Sequence, residues 1–249
     1  MEKSPSHIHL NCDSSCNLHC STCRNHVTIN SDDENKKLVS MLENFVRPAL
    51  KDCTTLSCLG SGEFFASKPI FDFFRSLDKK ELPFLKVNIM TNGTLFTPER
   101  FDKLSNLNGM VNRIHVSIDA ANKLTYEKLR RGGKWETLCE NMEYISSLRV
   151  SNEIKNFTMS FVVQKENFRQ MRDYVTLAKQ WHADEVTFRR LKFNSGAYST
   201  ETYMENDVFS RENQHYDEAV KILTELKRES EIRITDNCIT LTLDQLDES

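Results

Sequence analysis

The sequence lacks the features that direct a protein to nucleic acid or to a membrane. Its 33 Lys and Arg residues are balanced by 36 Asp and Glu residues, so there is no basic excess to attract nucleic acid. No apolar run approaches the about 20 residues of a membrane-spanning helix, and no signal-peptide pattern opens the chain. We therefore expect a cytoplasmic protein that binds neither nucleic acid nor membrane.

Disulfide bonds are also not expected, because cytoplasmic cysteines stay reduced. The chain has eight cysteines, and three of them fall in the stretch CNLHCSTC, residues 16–23. In a reducing compartment such a cluster favours metal or redox chemistry. With 249 residues the chain is long enough to bury a core without cross-links.

Short apolar strands alternate with amphipathic helices over most of the chain. This alternation predicts βαβ units, a parallel sheet and right-handed crossovers. Six units are too few for a closed eight-stranded barrel, so we predict an α/β fold of the partial (β/α)6 TIM-barrel type, with its chemistry at the carboxyl ends of the strands. The predicted strands are residues 7–12, 55–60, 84–91, 112–120, 156–163 and 184–193.

The strand–helix alternation stops after the sixth strand. We assign residues 1–195 to the barrel and residues 196–249 to a short C-terminal α+β extension. This extension begins in a polar linker and continues with a helix and two short strands, EIRIT and ITLTL. Within the barrel, Thr97 followed by Pro98 predicts a helix N-cap.

The three clustered cysteines follow the first predicted strand. Cys16, Cys20 and Cys23 are separated by three and two residues, a pattern that suits an iron–sulfur cluster. Zinc bound by three thiolates with His19 or His26 is the alternative. The position at a strand end, on the expected active face, favours a functional site.

Two further groups of polar residues follow later strands. Glu63 lies in GSGE after the second strand, where glycines allow close approach to a ligand; a tight turn is the alternative. Ser117 and Asp119 end the fourth strand, and Arg130 follows in the next helix. These three could hold a ligand that carries a ribose and a carboxylate, or serve as an N-cap and a surface ion pair.

The order of these motifs resembles the radical S-adenosylmethionine (radical SAM) superfamily. CxxxCxxC, GSGE, TNG and SIDA…TYEKLRRG follow strands one to four, and the resemblance covers about the first 190 residues. The sequence is most similar to the branch whose members carry SPASM or Twitch extensions.

The resemblance implies an enzyme with two cofactors, a [4Fe–4S] cluster and SAM. Cys16, Cys20 and Cys23 would bind three irons, and the fourth iron would bind the amino and carboxylate groups of SAM. Reductive cleavage of SAM would give a 5′-deoxyadenosyl radical that abstracts hydrogen from a small-molecule or peptide substrate. The implied SAM contacts are Ser61, Gly62 and Glu63 for the amino group, Thr91 and Asn92 on the same face, Ser117 and Arg130 with Asp119 for the carboxylate or ribose, and the backbone near Val162 and Val163 for adenine.

The sequence departs from this branch at two places. Thr22 precedes the third cysteine, where family members often have an aromatic residue. After residue 139 only Cys238 remains, so the four-thiolate auxiliary cluster of a Twitch segment cannot form from these residues. We interpret the extension as a reduced, Twitch-like cap over the substrate opening, with the start of a Twitch-like region as the alternative. Its lack of thiols favours redox-neutral reactions.

The substrate and partners are predicted only by class. Arg189 and Arg190 end the sixth strand, where they would bind an anionic substrate or form a solvated rim. Cys12 could donate hydrogen to a substrate radical, although packing as a small apolar residue is favoured. A low-potential donor such as flavodoxin or ferredoxin would supply electrons. The alternatives are a non-enzymatic iron–sulfur or zinc protein, with Cys12 as a fourth ligand, and an activase of glycyl-radical enzymes.

Overall fold

Seven parallel strands in sequential order form a single sheet. We describe residues 5–58 and 61–239 from a computed structural model. Every neighbouring pair of strands is parallel, so the chain returns to the same edge of the sheet after each strand. This arrangement confirms the predicted partial barrel. The strands are β1 (His7–Leu10), β2 (Thr55–Cys58), β3 (Lys86–Thr91), β4 (Val111–Ser117), β5 (Asn156–Val163), β6 (Glu185–Arg190) and β7 (Arg233–Asp236).

Helices connect successive strands and cover one face of the sheet. None of the helices in the described ranges is both long enough and apolar enough to cross a membrane. A π-helical turn, Leu42–Val46, links the first two helices. The helices are α1 (Asp32–Met41), α2 (Arg47–Ala49), α3 (Lys68–Arg75), α4 (Pro98–Asp102), α5 (Lys123–Leu129), α6 (Trp135–Val150), α7 (Met171–Gln180), α8 (Thr200–Asn206) and α9 (Tyr216–Glu229).

Local capping residues set several helix starts. Ser31 and Glu34 form a capping box at α1, in which each side chain binds the other residue's backbone N–H. The side chain of Thr97 accepts a hydrogen bond from Arg100 N, and Pro98 is the first residue of α4. The N-cap predicted at Thr97 is therefore confirmed.

The two faces of the sheet differ in chemistry. One face packs against the helices with side chains that are almost fully buried, such as Ile114, Phe157 and Phe188. The opposite face forms the inside of the open barrel, and successive strand residues alternate between the two faces. The polar residues on this inner face include Asn88, His115, Ser117, Thr158, Ser160, Thr187 and Arg189.

The C-terminal residues add to the same sheet. Strand β7, which covers most of the predicted strand EIRIT, pairs in parallel with β6 as a seventh strand. Helix α8 falls within residues predicted as a polar linker, and the side chain of Ser199 caps it by accepting from Thr202 N. The predicted strand ITLTL lies, apart from Ile239, outside the described residues. The division at residue 195 stays a prediction.

Candidate active site

The three cysteines of CNLHCSTC lie on one loop between β1 and α1, residues 11–31, which we call the thiol loop. Cys16 pairs with Thr28 through two backbone hydrogen bonds of 2.8 and 3.3 Å, which close the base of the loop. The carbonyl of Cys20 accepts from the N–H of Cys23 at 3.0 Å and of Arg24 at 3.2 Å, so this part of the loop is one tight turn. Cys20 is buried, Cys16 half-buried and Cys23 exposed.

The residues after α5 hold this loop from behind. The N–H of His19 donates to Arg131 O at 3.0 Å, and the N–H of Ser21 donates to Leu129 O at 2.9 Å. In return, Arg131 Nε donates to His19 O at 2.9 Å. The thiol loop is therefore held at the end of α5 by the backbone groups of His19 and Ser21 and by the side chain of Arg131.

Each sulfur of the loop faces an N–H donor. Asn92 Nδ2 lies 3.9 Å from Cys16 Sγ, Arg130 Nη1 lies 3.8 Å from Cys20 Sγ, and Arg24 Nε lies 3.4 Å from Cys23 Sγ. Burial raises the pKa of Cys20, and the positive charge of Arg130 opposes that rise. Donors around sulfur favour the anionic, metal-binding form of a thiol, so these contacts suit a cluster.

Glu63 connects the ends of β2 and β3. Its carboxylate accepts hydrogen bonds from Thr91 Oγ1 and Asn92 N, both at 2.6 Å, and from Phe65 N at 3.2 Å. The side chain is almost fully buried, and burial raises its pKa while the hydrogen bonds oppose the rise. The Glu63 carboxylate thus fixes the positions of Thr91 and Asn92, and Asn92 in turn contacts Cys16.

Gly62 lies in the loop that follows β2, which we call the β2 loop, at its contact with the thiol loop. A Cβ atom built at this position would be 2.5 Å from Ser15 O and 2.7 Å from Asp13 O. The next residue, Glu63, donates its N–H to Ser15 O at 2.7 Å. Because both obstructing atoms belong to the backbone, the two loops can meet only if position 62 has no side chain.

We expect Gly62→Ala to separate these loops and to destabilise the protein by about 1–3 kcal/mol, the usual cost of overpacking. Denaturant unfolding and iron content after anaerobic reconstitution measure the two effects. Gly196→Ala is the matched control, because a Cβ there meets only Asn194 Oδ1, at 3.4 Å. Equal stability and equal iron content in the two variants would contradict the close-approach argument.

Asp13 is a site residue that the sequence analysis missed. Its Oδ1 accepts from Ser15 N at 2.6 Å, and its Oδ2 accepts from the hydroxyl of Ser67, the N-cap of α3. The carboxylate therefore joins the thiol loop to the start of α3. The local signal was the aspartate itself, since an Asp side chain commonly accepts from the backbone N–H two residues on, in an Asx turn.

Asp119 and Arg130 form a buried ion pair between β4, β5 and the thiol loop. Arg130 Nη2 lies 2.7 Å from Asp119 Oδ2, and the two side chains are only 11% and 4% exposed. The other carboxylate oxygen of Asp119 accepts from Val162 N at 2.7 Å. Burial lowers the pKa of Arg130 while the charges of Asp119 and Cys20 raise it, and the charges prevail. The guanidinium therefore stays positively charged beside Cys20.

Ser117 and the end of β5 line the interior next to this pair. Ser117 Oγ and Ser160 Oγ are 3.1 Å apart on neighbouring strands. Val162 and Thr22 border a cavity of about 570 Å³ that lies between the thiol loop and the residues following β6. Val163 is fully buried in the core on the opposite face, so only its backbone can take part in binding.

The two arginines at the end of β6 have different surroundings. Arg190 makes a bidentate ion pair with Asp207, with N–O distances of 2.7–3.1 Å. Arg189 is exposed, lines the same cavity, and has no carboxylate within ion-pair distance among residues 5–58 and 61–239. Arg189 and Lys192 both line the cavity and form no ion pair within residues 5–58 and 61–239, whereas the charge of Arg190 is balanced by Asp207.

Cys12 stands apart from the three loop cysteines. It is exposed just beyond β1 and lines a shallow pocket with Asn11 and Ser61. Burial of the sulfur and the negative charge of Asp13 raise the pKa of Cys12, which keeps it a neutral thiol.

The chemistry of the loop residues fits a cluster. No group of three or more His, Cys, Asp or Glu side chains in the described part of the chain converges on one point. A [4Fe–4S] cluster does not need such convergence, because each thiolate binds a different iron. Arg130 Nε, buried near Cys20, also has no acceptor among the described residues, which leaves a donor for a bound group.

Sequence comparison gives matches of two kinds. The family model of the radical SAM superfamily matches residues 11–178. The "AdoMet-dependent heme synthase" of Methanosarcina barkeri (strain Fusaro / DSM 804) is 28% identical over 172 residues, which cover 66% of this chain and 44% of that protein.

Comparison of folds finds enzymes of similar architecture. Streptococcus suis SuiB bound to precursor peptide SuiA aligns with a TM-score of 0.65 at 15% identity, over 99% of this chain and 54% of that one. The anSMEcpe structure with bound AdoMet and Cp18Cys peptide aligns with a TM-score of 0.58 at 17% identity, over 92% and 62%. At these identities the likeness concerns the fold alone.

This chain spans only about half the length of the relatives named above. Within that span the matched region contains the thiol loop, the β2 loop with Glu63 and the Asp119–Arg130 pair. The chain belongs to the radical SAM superfamily, which implies a [4Fe–4S] cluster and S-adenosylmethionine as its cofactors.

Proposed function

We propose that this chain cleaves SAM reductively and abstracts hydrogen from a small-molecule or peptide substrate. The observation that carries the proposal is that the segments following β1, β2 and β4 meet around the three loop cysteines. Gly62 brings the β2 loop against the thiol loop, and Arg130 brings the β4 side against Cys20. The family's cofactor chemistry needs these parts at one place.

Cys16, Cys20 and Cys23 are the residues that would hold the cluster. Ser61, Gly62 and Glu63 would receive the amino group of SAM. When bound, the two cofactors supply a 5′-deoxyadenosyl radical, which abstracts hydrogen from an unactivated C–H bond.

The remaining SAM contacts would come from β3, β4 and β5. Thr91 and Asn92 are held at the end of β3 by the Glu63 carboxylate. Ser117 and Arg130 would hold the carboxylate or ribose, with Asp119 orienting Arg130. The cavity beside Val162 has room for the adenine. These residues would bind and orient the two cofactors, and Cys12 remains the one candidate for a hydrogen donor to the substrate radical.

The substrate and the electron donor are proposed by class. SuiB and anSMEcpe each have a structure with a bound peptide, which supports a peptide as one substrate class. A cytoplasmic flavodoxin or ferredoxin would provide the electron. Residues 196–249 would act as a cap. They contain a single cysteine, Cys238, too few for a four-thiolate cluster built from these residues alone.

The test is anaerobic reconstitution with iron and sulfide, followed by dithionite and SAM. We expect the protein to bind a cluster and to release 5′-deoxyadenosine and methionine. A protein that binds iron or zinc and never cleaves SAM would overturn the proposal and favour a non-enzymatic metal protein. Formation of a glycyl radical in a partner protein would instead identify an activase.

A further inference from the structure

The inner face of the barrel contains two buried polar groups without partners. His115 on β4 and Thr158 on β5 are paired directly in register, and they are 6% and 1% exposed. His115 Nε2 and Thr158 Oγ1 have no hydrogen-bond partner within residues 5–58 and 61–239. A buried unpaired polar group costs about 1–3 kcal/mol, so two adjacent ones indicate a bound ligand or water.

The charged residues of the inner face differ in their ion pairing. Arg113 lies 3.8 Å from Glu185, and Glu185 also accepts from Thr235 Oγ1 at 2.8 Å. Asp119 is paired with Arg130, as described above. Lys86, Arg189 and Arg233 form no ion pair within residues 5–58 and 61–239, and of these three only Arg189 lies at the carboxyl end of its strand.

Arg189 and the His115–Thr158 pair mark two levels of the barrel interior. Thr158 pairs with Glu185, and Arg189 follows Glu185 by four residues, or about 13 Å along the strand. Arg189 is at the cavity near the thiol loop, and the buried pair is deeper. Burial lowers the pKa of His115, and the positive charges of Arg189 and Arg113 lower it further, to about 3. The imidazole is therefore neutral.

We propose that the barrel interior binds a carboxylate-bearing substrate, with the carboxylate on Arg189 and a second, uncharged polar group on His115 and Thr158. The proposal rests on the function proposed above, since the substrate must lie between the cofactors and the sheet. A guanidinium binds a carboxylate through two parallel hydrogen bonds, whereas a neutral imidazole and a hydroxyl suit an amide or hydroxyl group.

Three probes of equal length separate the two parts of this site. N-acetylglycylglycine has a carboxylate and two amides, its C-terminal amide lacks the charge, and octanoate lacks the amides. Binding to the reconstituted protein with SAM is measured by calorimetry. We expect N-acetylglycylglycine to bind about 10-fold or more tightly than either analogue, since each analogue leaves one part of the site without its hydrogen-bond partner.

Two variants assign the parts to residues. Arg189→Gln should abolish the preference for the carboxylate over its amide. Thr158→Val keeps the side-chain shape and removes the hydroxyl. It should therefore weaken the binding of N-acetylglycylglycine and leave the binding of octanoate unchanged. Lys221→Gln removes one exposed positive charge from α9 and should change neither preference.

The outcomes distinguish this inference from the proposed function. If the wild-type protein forms a cluster and cleaves SAM, yet binds the three probes equally, the substrate site is wrong and the function stands. If Lys221→Gln lowers carboxylate binding as much as Arg189→Gln, only general charge attraction is present and the site is again wrong. A wild-type protein that never cleaves SAM refutes the proposed function itself.

The same imidazole gives a prediction about stability. Its pKa is lowered from 6.5 to about 3 in the folded protein, so the unfolded chain binds more protons in the acid range. The stabilisation is complete above the unfolded value and is lost as the pH falls from 6.5 towards 3. Between about pH 7 and pH 5 the loss reaches about 2 kcal/mol.

We therefore expect His115→Gln to flatten the acid side of the stability curve. The free energy of unfolding, measured by denaturant titration at several pH values, checks this. His7→Gln is the matched control, because it makes the same substitution at an exposed position. An unchanged slope in His115→Gln would show that His115 is not buried as a neutral group.

Discussion

Cys20→Ser should reduce the formation of 5′-deoxyadenosine by at least about 100-fold, because loss of an outer partner of a metal ligand alone costs about 10–100-fold. Cys20 is the most buried of the three loop cysteines and faces Arg130 Nη1 at 3.8 Å. Serine keeps the size of the side chain but does not ionise to a thiolate, the form that binds iron. The measurements are iron and sulfide content, visible absorbance and product formation under dithionite.

Cys139→Ser is the matched control for this substitution. Cys139 is half-buried on α6, and like Cys20 it lies in the part of the chain that matches the family model. We expect it to retain the cluster and the cleavage of SAM. If Cys20→Ser retained both as well, the thiol loop would not be the cluster site.

Cys12→Ser separates the enzyme from the four-thiolate alternative. The pKa of Cys12 is raised by burial and by Asp13, and the two pockets that it lines contain none of Cys16, Cys20 and Cys23. A three-cysteine cluster with an open iron predicts that Cys12→Ser keeps its iron and cleaves SAM. A closed four-thiolate site predicts loss of the metal in this variant.

Local pattern and spacing were sufficient to predict the architecture. The six predicted strands overlap β1 to β6, because apolar runs separated by helices of suitable length leave few arrangements other than a parallel sheet. Thr97 was predicted as an N-cap because capping depends on residues only three positions apart. The family motifs likewise fall at strand ends that can be read from the sequence.

Pairings between distant residues could not be predicted in this way. The alternation of a strand places Arg189 and Arg190 on opposite faces, but the sequence does not show that Asp207 neutralises Arg190. Asp13 binds Ser67, 54 residues away, and the sequence shows that both are polar without showing that they meet. The short helix α8 is capped by Ser199. The sequence does not single out this residue, because the same stretch contains several other polar residues that could cap a helix.

Asp119→Asn should destabilise the protein by about 3–5 kcal/mol, the cost of breaking a buried ion pair by removing one partner. Arg130 would keep its charge, with the guanidinium still buried beside Cys20 and without a carboxylate. Backbone strain does not explain such a loss, because Asp119 has a φ of 64° and asparagine also tolerates the left-handed region. The free energy of unfolding from denaturant titration measures the effect.

Glu218→Gln is the matched control, since it removes one carboxylate from a bidentate pair of similar geometry on the surface. Arg169 contacts Glu218 at 2.6 and 2.7 Å, but both side chains are about half exposed. Solvent screening limits such a pair to about 0–1 kcal/mol. If the two variants lost equal stability, the buried position of Asp119 would contribute nothing, and Arg130 would not depend on it for its place beside Cys20.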